Sequence, residues 1–298
     1  MRVAVALTFA CLVPCARAEP DVDAILRRVA EEAAVFARTV PQVIGQETLH
    51  QSVVARPSRF RLRIGQDATR PPEIHHQERD LVSEYGFTTF PENPGSIHEL
   101  RKVVSVDGRQ VTSPDKARET LSLGVTGKDA RLRNKLVRQF EQYGLKGGAT
   151  DFGPMLLLFT GRHLGDFEFT FLREDSLGAV PALVLRYHQR QGDDAVMVFE
   201  GKRAMKAPLE GELWVRASDS LPLRVTSSTV LPSDKHVTEH RGSVDYAESR
   251  YGVVLPSRVH YQKLVDSQVV VDNVAEYSQY QMFSSSVEIE FQPAPKAP

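Results

Sequence analysis

The chain has 298 residues, 41% of them hydrophobic and 25% charged, with 37 Lys and Arg against 38 Asp and Glu. A balance this even argues against a general nucleic-acid binder, and the length is enough to bury a core without disulfides. The two cysteines, Cys11 and Cys15, both fall within the first eighteen residues, so neither a disulfide framework nor thiolate chemistry is expected beyond them.

Residues 1–18 read MRVAVALTFACLVPCARA. Arg2 is a short basic start, Val3 to Val13 an apolar run, and Ala16-Arg17-Ala18 an A-x-A-like cleavage site. This predicts a secretory signal removed after Ala18 and a secreted, periplasmic protein. Cys15 offers a lipidation alternative, with Pro14 a poor fit to the small residue expected before it. The apolar run is too short to span a bilayer, and no later segment is long and apolar enough for a transmembrane helix. Loss of Arg2 and Arg17 leaves 35 basic against 38 acidic residues, a net charge of −3.

In residues 21–40, Val22, Ile25, Leu26, Val29, Ala33, Phe36 and Val40 recur at helical spacing, with Asp21 as N-cap and Pro41 as the stop. RFRLRI follows, with Phe60, Leu62 and Ile64 on one strand face and Arg59, Arg61 and Arg63 on the other. The arginine stripe reads as a solvated edge that blocks edge-to-edge pairing. Its functional alternative is contact with anionic headgroups or an acidic partner. EIHHQERDLVSEYGF is a further extended stretch, FPENPG a loop on composition, and HELRKVVSVDGRQV a hairpin turned at Asp107-Gly108.

A helical insertion is expected over about 113–164. Thr126-Gly-Lys-Asp129 resembles a capping box, Leu132, Leu136, Phe140 and Tyr143 form a stripe, and Gly144 is the stop. Asp151-Phe-Gly-Pro154 starts a short helix through Met155–Phe159, whose MLLLF has no polar face and should be buried. From Asp166 onward strands alternate. Phe167, Phe169 and Phe171 share a face, as do Leu183, Leu185 and Tyr187. Val196 and Val198 oppose Met197 and Phe199. GELWVRASDSLPLRV (211–225) reads as a hairpin with Leu213, Val215 and Ala217, then Leu221, Leu223 and Val225, on its apolar face. Strands around Val244 and Tyr246, Val259 and Tyr261, and Val269–Val271 follow, and 293–298 is a frayed tail. The pattern predicts a single α+β domain over 19–292, built on a large antiparallel sheet.

Catalytic motifs are weak. His236-Val-Thr-Glu-His240 matches H-x-x-E-H, but its valine and threonine and the turn before it favour a strand over the helix a zinc hydrolase needs. His75 and His76 are adjacent, so on a strand they point to opposite faces and cannot easily chelate together. Asp151-Phe-Gly153 copies a kinase triplet without a Gly-rich loop, lysine or catalytic loop to accompany it, and no G-x-S-x-G is present. No catalytic residue, metal ligand or cofactor motif is assigned.

Four segments carry a resemblance: Glu212-Leu-Trp-Val215, Asp219-Ser-Leu-Pro-Leu-Arg224, Val244-Asp-Tyr246 and Gly252-Val-Val-Leu-Pro256. Together with the N-terminal helix, the stretch from Gly201 to Phe291 resembles periplasmic lipoprotein-sorting carriers of the LolA–LolB type and their secreted relatives. The resemblance implies a strongly curved, unclosed antiparallel sheet, a half-barrel with helices plugging its concave face. It also implies that the concavity holds acyl chains. In a carrier, Thr126–Tyr143 and Asp151–Phe159 would act as lid and plug, although the region Gly86–Leu164 with its extra helices departs from the family. The expected ligand is a lipid or an acylated protein. The candidate apolar cavity wall is Phe60, Leu62, Phe169, Leu183, Leu185, Leu213, Val215, Leu223, Val225, Tyr246, Val259 and Tyr261. The alternative is a filled core, with the protein an interaction module for another envelope protein. Periodicity alone does not separate the two.

Overall fold

The computed structural model describes residues 20–55, 75–90, 93–127, 129–145, 151–190, 196–200, 203–232 and 236–282. The expected signal segment, the 293–298 tail, the Arg59–Arg61–Arg63 stripe, Phe60 and Leu62 lie outside them.

Helix α1 (Val22–Thr39) forms where the apolar stripe predicts it. Asp21 caps it by accepting from Ala24 N at 3.0 Å, and Ile25, Leu26, Val29, Ala33 and Phe36 are its buried face. Strands β1 (Val43–Ala55), β2 (His75–Phe90), β3 (Asn93–Val106) and the two-residue β4 (Arg109–Gln110) follow. The β3–β4 turn is made by Asp107 and Gly108, both at positive φ, as its Asp-Gly pair requires. FPENPG is not a loop as a whole: β2 runs to Phe90 and β3 begins at Asn93, with Phe90 opposite Asn93. Cross-strand pairing overrides its Pro-rich composition.

Helices α2 (Pro114–Thr126) and α3 (Ala130–Tyr143) come next, then a 3-10 segment, Gly153–Phe159. Thr126 is not an N-cap. It ends α2, and Asp129 caps α3 by accepting from Arg131 N. The remaining strands are β5 (Phe167–Leu177), β6 (Val180–Gln189), β7 (Val196–Glu200), β8 (Arg203–Ala207), β9 (Glu210–Arg216), β10 (Pro222–Pro232), β11 (Val237–Glu248), β12 (Val254–Val265) and β13 (Gln268–Met282).

Eleven strands form one antiparallel sheet in the order β4-β3-β2-β1-β13-β12-β11-β10-β9-β6-β5, and β7 and β8 pair separately. The sheet is unclosed, because β4 and β5 are its two ends. Its curvature follows from one ring. Phe36 of α1 lies edge-on to Phe87 of β2 at 5.7 Å and to Tyr246 of β11 at 6.3 Å. Those strands are four steps apart, about 19 Å in a flat sheet. One phenyl group reaches both only if the sheet wraps around α1. The fold is α+β, an unclosed half-barrel with α1 and the 3-10 segment on its inner face.

Two smaller apolar clusters lie apart from this core. Leu121 of α2 and Leu136 of α3 meet Ile44 and Leu100 of the sheet. Ala182, Val184, Trp214 and Leu223 form the other, where Trp214 lies under the guanidinium groups of Arg173 (5.1 Å) and Arg224 (5.8 Å). Leu223 therefore leaves the face assigned to it by simple alternation. Pro222 pairs with Val215 but Arg224 pairs with Trp214, so a bulge adds a residue to β10. Leu221 and Val225 stay in the main core, and Leu223 turns to the tryptophan.

Candidate functional site

The inner face of the sheet is a filled core where a cavity wall was expected. Leu185, Leu213, Val215, Val225, Tyr246 and Val259 are buried in the main cluster, and Phe169 and Leu183 pack half-buried against it. Tyr261 is buried against Phe152, ring centroids 5.0 Å apart. Beside Val259 and Tyr261 lies a void of about 20 Å³, room for roughly one water molecule. Leu223 belongs to the separate Trp214 cluster.

A larger open space lies elsewhere. A cleft of about 580 Å³ lies over the 3-10 segment. Its apolar lining comes from Phe152, Leu157 and Leu158 of that segment and its approach, with Ile97, Phe167 and Leu209, and it carries none of the ten expected wall residues that lie among the described residues. The MLLLF run explains the division. Met155, Leu156 and Phe159 are its buried side, with Phe159 set edge-on to Phe167 and Tyr187. Leu157 and Leu158 are half-buried and face the cleft. A single short segment thus plugs the core on one side and floors the cleft on the other. Asp151, His163 and Asp166 are the ionisable groups of its lining. His163 Nδ1 pairs with Asp166 at 3.2 Å.

The plug is held by buried polar groups that hydrophobic patterning does not reveal. Gly153 N donates to Glu99 Oε1 at 2.9 Å, and Tyr85 Oη donates to the same oxygen at 2.6 Å. Arg101 Nη2 donates to Glu99 Oε2 at 2.8 Å, and its Nε donates to both oxygens of Glu47. The Arg101 guanidinium also lies over the rings of Tyr85 and Phe140. Asp151 accepts from Glu99 N at 3.1 Å and pairs with His98 Nδ1 at 2.9 Å, a hydrogen bond that raises the imidazole above its ordinary range. At the other side, Leu156 N donates to Tyr246 Oη, which donates to Gly153 O. Burial pushes the Glu99 carboxyl up to about 7, against the opposing pull of Arg101. Glu47, Glu99 and Arg101 escaped sequence reading because alternation marks apolar faces. The available signal was their inward parity: Ile97, Glu99, Arg101 and Val103 lie on one side of β3.

The histidine motif has no helix. His240 lies in β11 and His236 just before it; His236 Nδ1 pairs with Asp266 and His240 Nδ1 with Tyr261 Oη. His75 and His76 open β2 on exposed positions. Among the described residues no helix is long and apolar enough to cross a membrane.

No family model and no curated protein matches this chain. Two solved structures are similar to it. One is a LolA superfamily protein from Nitrosomonas europaea, with 12% identity over 88% of this chain and 93% of that one, at a TM-score of 0.27. The other is a DUF1329 family protein from Desulfovibrio piger, with 9% identity over 86% and 92% of the two chains, at a TM-score of 0.33. Both scores fall below 0.5, and the reading of the site rests on its own residues.

Proposed function

We propose that the protein binds an apolar ligand, a lipid or the acyl chain of an acylated protein, in the cleft over the 3-10 segment, as a non-catalytic carrier or chaperone of the bacterial envelope. The observation that supports this is the cleft itself. About 580 Å³ of open space, floored by Leu157 and Leu158, falls within the range of small-molecule sites, which are mostly apolar with a few polar groups that set orientation. A flexible chain laid on these side chains gains roughly 0.8 kcal/mol for each methylene removed from water. The proposed cleft is a different surface from the expected sheet wall, whose described residues are packed.

The filled inner face favours a second reading, an envelope interaction module that holds no small ligand. A fluorescent fatty acid separates them. The wild type should bind it, and Leu158→Arg should fold, by circular dichroism, and lose binding, since a half-buried position beside open space lets the guanidinium reach water. Native mass spectrometry of protein purified from its own envelope should show a bound lipid. A wild type that neither binds the probe nor carries a lipid sinks the carrier reading and leaves the module.

A further inference from the structure

A second cavity, about 490 Å³, lies between α2, α3 and β3 and, among the described residues, shares no lining residue with the apolar cleft. Three lysines line it from three elements: Lys102 of β3, Lys116 in the first turn of α2, and Lys135 of α3. Hydroxyls come from Thr112, Ser113 and Thr120. Ser113 is the N-cap of α2, so the positive end of that helix dipole faces the same region.

The convergence is unfavourable as it stands. Among the described residues no carboxylate lies within ion-pair distance of any of the three lysines, whereas Arg173, Arg216, Arg224 and Arg241 are each paired with Asp or Glu. Glu84, opposite Lys102 in the β2–β3 register, is taken by Arg118 at 3.2 Å. Lys102 is half-buried and donates from Nζ to Gln139 Oε1 at 2.7 Å, which fixes the direction of its ammonium. Burial first, and then repulsion from Lys135 and Lys116, hold that ammonium below the usual lysine range. Like charges drawn together without a counter-charge are stabilised by an anion between them.

The donor set also selects the anion. Planar carboxylates suit the rigid fork of arginine, and among the described residues no arginine lines this cavity. Lysines act as mobile point charges, and with hydroxyl and helix N-terminal donors around them they suit a tetrahedral oxyanion. We propose that the cavity between α2, α3 and β3 binds a phosphoryl group, carried by free phosphate or by a phospholipid headgroup.

Calorimetric titration with inorganic phosphate, against chloride at matched ionic strength, tests the first source. Flotation with phosphatidylcholine vesicles, with and without phosphatidylglycerol, tests the second. Lys116 and Lys135 are exposed, so Lys116→Gln/Lys135→Gln should keep the wild-type circular dichroism and thermal midpoint. Its affinity should fall about tenfold, the scale expected when two partly screened charges are removed. Lys135→Gln alone should show a smaller loss in the same direction. Phosphate binding without vesicle binding assigns the free ion, and phosphatidylglycerol-dependent flotation assigns the headgroup. Binding in neither arm, or binding undiminished in the folded double variant, overturns the proposal.

Discussion

Substitution of Gly153 by alanine tests whether the plug depends on its buried latch. At this position a Cβ would press on Glu99 Oε1, lie 2.5 Å from Tyr85 Oη and 3.3 Å from Pro256 Cγ. None of these neighbours is a free end: Glu99 is held by Tyr85, Arg101 and the Gly153 amide. Overpacking a well-filled interior costs about 1–3 kcal/mol. Prising the Gly153 amide from Glu99 leaves a buried donor and acceptor poorly matched, another ~1–3 kcal/mol. The reduced freedom of the unfolded alanine chain offsets about 0.4–1 kcal/mol. The expected net loss is about 1–5.5 kcal/mol in urea unfolding, with faster amide exchange confined first to residues 153–159. Gly161→Ala is the control, since nothing lies within 4 Å of its added Cβ. A Gly153→Ala protein within about 0.5 kcal/mol of wild type, the scatter of ordinary surface changes, would refute the latch.

Leu213→Ala should cost about 2–5 kcal/mol by urea unfolding, because Leu213 is fully buried in the filled core and its loss leaves a void; a cost well below that range would mean the sheet face is open after all. Glu99 gives a pH signature. Its carboxyl is raised from an ordinary 4.5 to about 7, so between those values the folded chain holds a proton that the unfolded chain releases, and this group's contribution to stability falls as pH rises through the window. Glu99→Gln cannot ionise, so its stability relative to wild type should increase from pH 5 to pH 8, and parallel urea profiles would show that Glu99 does not titrate there.

Helix α1 was legible because stripe, cap and stop agree: Asp21, a helical run of apolar residues and Pro41 all point to one element. The β9–β10 hairpin was legible as a hairpin but not in its facing, because the bulge at Pro222–Arg224 is a tertiary adjustment to the register with β9. Helix α2 carried a local signal, Ser113 followed by Pro114 at its start, yet only Ala117, Leu121 and Gly124 are buried along it, too sparse a stripe to stand out. The cleft was least legible. Alternation identifies which side of a strand is apolar, but whether that side is packed depends on the plug, and the plug's two faces differ only because Leu156 turns inward and Leu158 does not. The lysines of the second cavity lie on three separate elements, and only folding brings them together.

The pairing of β1 with β13 has a consequence for how the chain reaches this state. Val53 pairs with Val271, 218 residues further along, near the middle of the sheet. Among the described strands, β2 to β4 are linked by backbone pairing to β13 and the strands beyond it only through that seam. A ribosome delivers β1 long before β13, so the seam stays open until β13 has been made. Contacts this distant in sequence form slowly. Local pairings such as β5–β6 and β1–β2 can close meanwhile, but the β1–β13 ladder waits. Until β13 arrives, one side of β1 is an unpaired strand edge, a template for pairing with another chain.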